Sequence, residues 1–166
     1  MSDNPFAVLT LIGAPAILTN ASSLLALGTS NRFARAVDRQ RQLSSLLEKD
    51  NGKMDQVEAN LRLTQLHWAE ARGQLLLKAL TSIYLSLGAF AAASLLSLMG
   101  ALIGDRAAYV SFAAGILAIL AGLVGVGGLV AGSVRLVRET RIALQSLKDE
   151  AAFTTKRFES RHLPPV

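Results

Sequence analysis

The polar residues best placed to do chemistry in this chain lie inside its first apolar stretch. They are Thr19, Ser22, Ser23, Thr29 and Ser30, with Asn20 beside them and Pro15 one turn earlier. Wound as a helix at about 100° per residue, Thr19, Ser22, Ser23, Ala26, Thr29 and Ser30 share an arc of roughly 120°. Ile17, Leu18, Ala21 and Leu25 lie mostly opposite. Pro15 falls on the polar side, lacks a backbone donor, frees a carbonyl one turn earlier and predicts a kink there. In lipid, each of these polar groups needs a partner. The hydroxyls either bond their own i−4 carbonyls, with Asn20 reaching a neighbouring helix, or the arc faces a hydrated path. Pro15, Thr19, Ser22, Ser23, Ala26, Thr29 and Ser30 are therefore the candidate pore-lining set.

Other chemistry finds little support. The chain has no cysteine, which removes disulfides, thiolate metal sites and thiol nucleophiles together. His67 and His162 have no second ligand at metal-binding spacing, and Trp68 is expected to pack rather than to stack a ligand. No GxxxxGK, HExxH or GxSxG occurs. The glycine-rich "LAGLVGVGGLVAG" (Leu120 to Gly132) lies inside an apolar run, so it is not a phosphate loop. Asn20-Ala21-Ser22 matches a glycosylation sequon but falls within the expected bilayer. The expectation is a protein without catalytic, cofactor-binding or metal-ligating residues, and not an enzyme.

These residues belong to a chain of 166 residues that is 51% hydrophobic and 17% charged. A soluble domain carries about 25% charged residues. No charged side chain occurs from Phe6 to Ser30, from Ala79 to Gly104 or from Ala107 to Val134. Each run exceeds the roughly 20 residues that cross a bilayer as a helix. Helices buried in a soluble bundle would show a charged face, and none does. The first run is expected to be a retained span rather than a signal peptide, because "MSDNP" before it has no cation and the positive charge follows it. An all-α polytopic membrane protein with three transmembrane helices is expected. No span contains Asp, Glu, Lys or Arg, so proton relays lose their usual carriers.

Cations set the expected topology. Between Asn31 and Lys78 there are nine Lys/Arg against six acids, and from Arg135 onward seven against four. Both segments are expected in the cytoplasm, with the N-terminus periplasmic. The division is then 1–5 periplasmic, 6–30 first span, 31–78 cytoplasmic helical hairpin turning at 50–52, 79–104 second span, 105–106 periplasmic turn, 107–134 third span and 135–166 cytoplasmic helix and tail. "EKDNGK" supplies the turn through Asn51-Gly52. Met54, Val57, Leu61, Trp68 and Leu75, with Thr64 and Ala71 between them, approximate an apolar seam of coiled-coil type. Val137, Leu144, Ala151 and Phe158 repeat every seven residues on the third helix.

Small residues mark where membrane helices approach closely. Gly115, Ala118, Gly122, Gly125 and Gly132 are the expected packing residues of the third span, joined by Ala114 and Ala121. Ser86, Ala89, Ala93, Ser97, Gly100 and Gly104 form the facing stripe of the second. Arg32, Arg35 and Arg39 recur on one face beside the first span and are candidate contacts for anionic lipid headgroups. Without an aromatic stacking platform beside these cations, no nucleic acid partner is expected.

The stretch "LTLIGAPAILTNASSLLALGTSNRFARAVDRQRQL" resembles a family of small bacterial inner-membrane proteins catalogued as a domain of unknown function. The resemblance rests on the proline-containing first span and on Asn31, Arg32, Arg35, Val37, Asp38, Arg39 and Arg41, and extends loosely over the other spans. It implies a location in the bacterial inner membrane and brings no activity or site. Two functions follow as expectations. One is a homo-oligomer whose first helix lines a pore for ions or small solutes. The other is a membrane-anchored scaffold or regulatory subunit that binds a partner through its cytoplasmic helices.

Overall fold

A computed structural model describes residues 5–49, 56–103 and 107–162 of the chain, all of them helical except Ala107 at the start of the last segment. Helix α1 is Pro5–Lys49, α2 is Gln56–Ile103 and α3 is Ala108–His162. The expected reversal at 50–52 and the turn at 105–106 lie outside the described residues, as does Met54. Pro15 is the one proline inside the described helices, and α1 continues without interruption through it.

Two of the helices are long and apolar enough to cross a membrane: α2, and α3 over Ala108–Thr155. Their most apolar windows have mean hydropathies of 1.9 and 2.3 and are only 28% and 11% buried. A core helix of a soluble protein would be mostly buried, so this exposed apolar surface calls for lipid. Helix α1 is not one of these two.

The chain divides into two compact units, Met1–Asn31 with Lys78–Val134, and Arg32–Leu77 with Arg135–Val166. The division follows charge: the first unit is built from the uncharged runs, the second from the charged segments.

In the first unit α2 and α3 pack antiparallel through small residues. Ser111 Oγ donates to the Gly100 carbonyl at 3.1 Å. Deeper along the pair, Gly125 faces the Phe90 ring, Gly128 faces Ser86, and Gly132 faces Ile83. A Cβ at Gly125 would stand 2.5 Å from Phe90 Cε1, and one at Gly132 would stand 3.0 Å from Ile83 Cγ1. Glycine is required here by proximity: the helix backbone of α3 lies where a side chain would otherwise be. Helix α1 buries Ser22, Ala26 and Thr29 in the same unit.

The second unit buries Ala36 and Leu43 from α1, Ala69 and Leu76 from α2, and Glu139 from α3. This corrects the expected seams. Leu61, Trp68, Ala71 and Leu75 are only half-buried, while Val57 and Thr64 are exposed. The buried row of α2 runs one residue later, through Ala69 and Leu76. On α3, Val137, Leu144, Ala151 and Phe158 are all exposed. Hydropathy picked the apolar rows, but Ala36, Leu43, Ala69, Leu76 and the paired carboxylate of Glu139 occupy the interior, and other large apolar residues remain outside.

Candidate interaction face

The hydroxyl series of α1 divides by burial. Ser22 is fully buried and Thr29 and Ala26 nearly so, whereas Pro15, Thr19 and Ser30 are half-buried and Ser23 is exposed. Each bonded hydroxyl uses its own helix. Thr19 Oγ1 donates to the Pro15 carbonyl at 2.8 Å, Ser22 Oγ to Leu18 at 2.6 Å, Ser23 Oγ to Thr19 at 3.0 Å and Thr29 Oγ1 to Leu25 at 2.8 Å. The carbonyls of Leu18 and Leu25 thus satisfy the two innermost hydroxyls from within α1 itself. Asn20 is exposed rather than turned to a neighbouring helix.

Among the expected packing residues, Ala118 is buried, and Gly125 and Gly132 meet α2. Gly115 and Gly122 have no atom within 4 Å of a Cβ position. Gly128, which the helical projection passes over, has Ser86 and the Ser82 carbonyl against it.

Two of the three candidate lipid-binding arginines face acids of α3. Arg39 Nη2 lies 3.6 Å from Glu150 Oε1, and Arg32 Nη1 lies 3.9 Å from Glu139 Oε2. Arg35 is exposed on the same helix. A shorter pair joins α2 and α3: Arg72 Nε donates to Glu139 Oε1 at 2.8 Å. Glu139 is 3% exposed and has both oxygens opposed by guanidinium groups. A buried carboxylate is costly unless paired and hydrogen-bonded, and here it is both. Sequence reasoning missed this residue. The available signal was phase: Ala118, Gly125, Gly132 and Glu139 are seven residues apart.

A cleft of about 280 Å³ opens beside this layer, with Arg39, Leu43, Gln65, Ala69, Arg72 and Glu150 in its walls. Its charged groups are engaged with acids or bases of the bundle itself. No group of three or more His, Cys, Asp or Glu able to hold a metal is found among the described residues.

What the second unit does present is an apolar face on α3. Val137, Leu144, Leu147 and Phe158 are 54–63% exposed, and Ala151 continues the row. Arg141 and Lys148, four residues after Val137 and Leu144, border it and are exposed too.

Residues 12–149 match the family described as protein of unknown function, DUF2721. The chain belongs to that family. The matched span takes in most of all three helices of this DUF2721 chain, including Glu139 and the outward face from Val137 to Leu147. No curated protein and no solved structure matches the chain.

Proposed function

We propose that this DUF2721 chain is a membrane-anchored adaptor: three spans, periplasmic N-terminus, and a cytoplasmic helical bundle that serves as a docking platform for another polypeptide. The third span is supplied by α1, whose Phe6–Ser30 run carries no charge. The orientation follows from the cation excess of the segments after residues 30 and 134, and the bacterial inner membrane is the setting such a bias implies.

One observation carries the choice of adaptor over pore. The polar stripe of α1 is turned inward at Ser22 and Thr29 and bonded to its own backbone, while large apolar residues of α3 stand outward in the charged unit. In the first unit, exposed leucines and valines are what lipid requires. In a cytoplasmic bundle, a seven-residue apolar row left outside is a place for another helix.

The test is a photo-crosslinking amino acid at Leu144, compared with one at Gln145 and one at His67, in living cells. Discrete polypeptide adducts at Leu144 that are weak or absent at the two control positions are the expected result. Adducts at none of the three would remove the adaptor reading.

A further inference from the structure

We propose that the partner docked on α3 between Val137 and Phe158 is an amphipathic helix with an acidic edge, supplied by a different polypeptide; this rests on the adaptor reading above. The inference comes from where the charges of α3 point. Glu139 is buried against Arg72 and Arg32, and Glu150 is held by Arg39. Glu139 is therefore spent inside the bundle, and Glu150 is opposed at the surface by Arg39. Among the described side chains of this segment classed as exposed, Arg138, Arg141, Lys148 and Asp149 carry charge, three cations against one acid.

Two of these cations sit at one edge of the apolar row. Arg141 and Lys148 each lie four residues after a row residue, the position that flanks the seam in a helix pair and reads the charge of the facing helix. The other edge carries Ala143 and Glu150, and the Glu150 carboxylate already faces Arg39 of α1, so the unopposed cations lie on the first edge. A helix lying on a membrane carries its cations across its whole polar face. A row of seven-residue period with one basic edge is instead shaped for a helix bearing Asp or Glu opposite that edge.

A second copy of this chain does not supply such an edge. In parallel register, Arg141 and Lys148 would face the copy's Leu136 and Ala143; in antiparallel register they would face its own basic edge. The partner's acids must come from another sequence.

The experiment uses the full chain in nanodiscs of zwitterionic lipid and two fluorescent helical peptides with the same leucine row, one edged with Glu and one with Lys. Anisotropy should show the Glu peptide binding at least about tenfold more tightly than the Lys peptide. Arg141→Glu with Lys148→Glu should invert that preference, and Leu144→Asp should abolish binding of either peptide. Circular dichroism and elution volume check that each variant is folded, and Leu144→Ala replaces Leu144→Asp if it is not. Equal binding of the two peptides, or a preference that the double charge reversal does not invert, overturns the inference. So does flotation with phosphatidylglycerol-rich vesicles that depends on Leu144, which assigns the face to lipid. A subunit number that falls on Leu144 substitution assigns it to self-association and also overturns it. The two levels separate cleanly: crosslinks at Leu144 that survive charge reversal keep the adaptor and remove the acidic edge, whereas no crosslinks at all remove the adaptor.

Discussion

Replacing Arg72 by methionine should destabilise the charged unit far more than replacing Glu139 by leucine, although both remove the same ion pair. Glu139 is 3% exposed and cannot reach water, whereas Arg72 is 33% exposed and Arg32 is 53% exposed. Unit charges about 4 Å apart attract by about 4 kcal/mol at an effective dielectric near 20 and by about 1 kcal/mol in bulk water. The partial exposure of Arg72 puts the pair between those limits. Stranding one member of a buried pair costs about 3–5 kcal/mol. Arg32, at 3.9 Å, retains part of the pairing, so about 3 kcal/mol is expected for Arg72→Met. Losing Glu139 leaves two guanidinium groups that solvent already reaches, for a cost of about 1 kcal/mol, and the double variant should stay near that value. The assay is a denaturing-detergent titration followed by the fluorescence of Trp68, the chain's one tryptophan, half-buried on α2 in the same unit. Equal losses in the two single variants, or strictly additive losses in the double variant, would refute the argument from unequal burial.

Gly128→Ala should cost about 1–3 kcal/mol and lower the yield of folded protein, because its Cβ meets Ser86 and the Ser82 carbonyl; Gly122→Ala, with nothing near, should change stability by less than about 0.5 kcal/mol. Gly125→Ala should resemble Gly128→Ala, since Phe90 is buried and its ring has little room to yield. Cysteines at Ala107 and Gln56 report topology in a chain with none of its own. An impermeant thiol reagent added to intact cells should label the first and not the second, and the reverse pattern would invert the orientation.

The helical class, the continuity of the three helices and the charge-based division were readable from uncharged runs and the scarcity of breakers. Which face each helix buries was not. A helical wheel at 3.6 residues per turn drifts about 20° per seven residues, so along α3 it gathered Gly115 and Gly122 with Gly125 and passed over Gly128. The buried positions keep a seven-residue step instead: Ser22, Thr29, Ala36 and Leu43 on α1, and Ala79, Ser86 and Ala93 on α2. Extending the α2 row reaches Arg72, and the α3 row of Ala118, Gly125 and Gly132 reaches Glu139, the two residues hydropathy would assign to solvent. The burial of Glu139 depends on Arg72, and a pairing between residues 67 positions apart is invisible in either local sequence.

Ser22 and Leu144 pose the central question most directly, because hydropathy assigns them opposite places from those they occupy. With single cysteines at these positions, the chain in nanodiscs would be treated with a small hydrophilic maleimide, and the rates compared with those of the unfolded variants. The adaptor account predicts rapid labelling at Leu144→Cys and protection at Ser22→Cys, whose native hydroxyl is fully buried. Rapid labelling at Ser22→Cys with protection at Leu144→Cys, accompanied by conductance in planar bilayers, would contradict it and return the first helix to the wall of a pore.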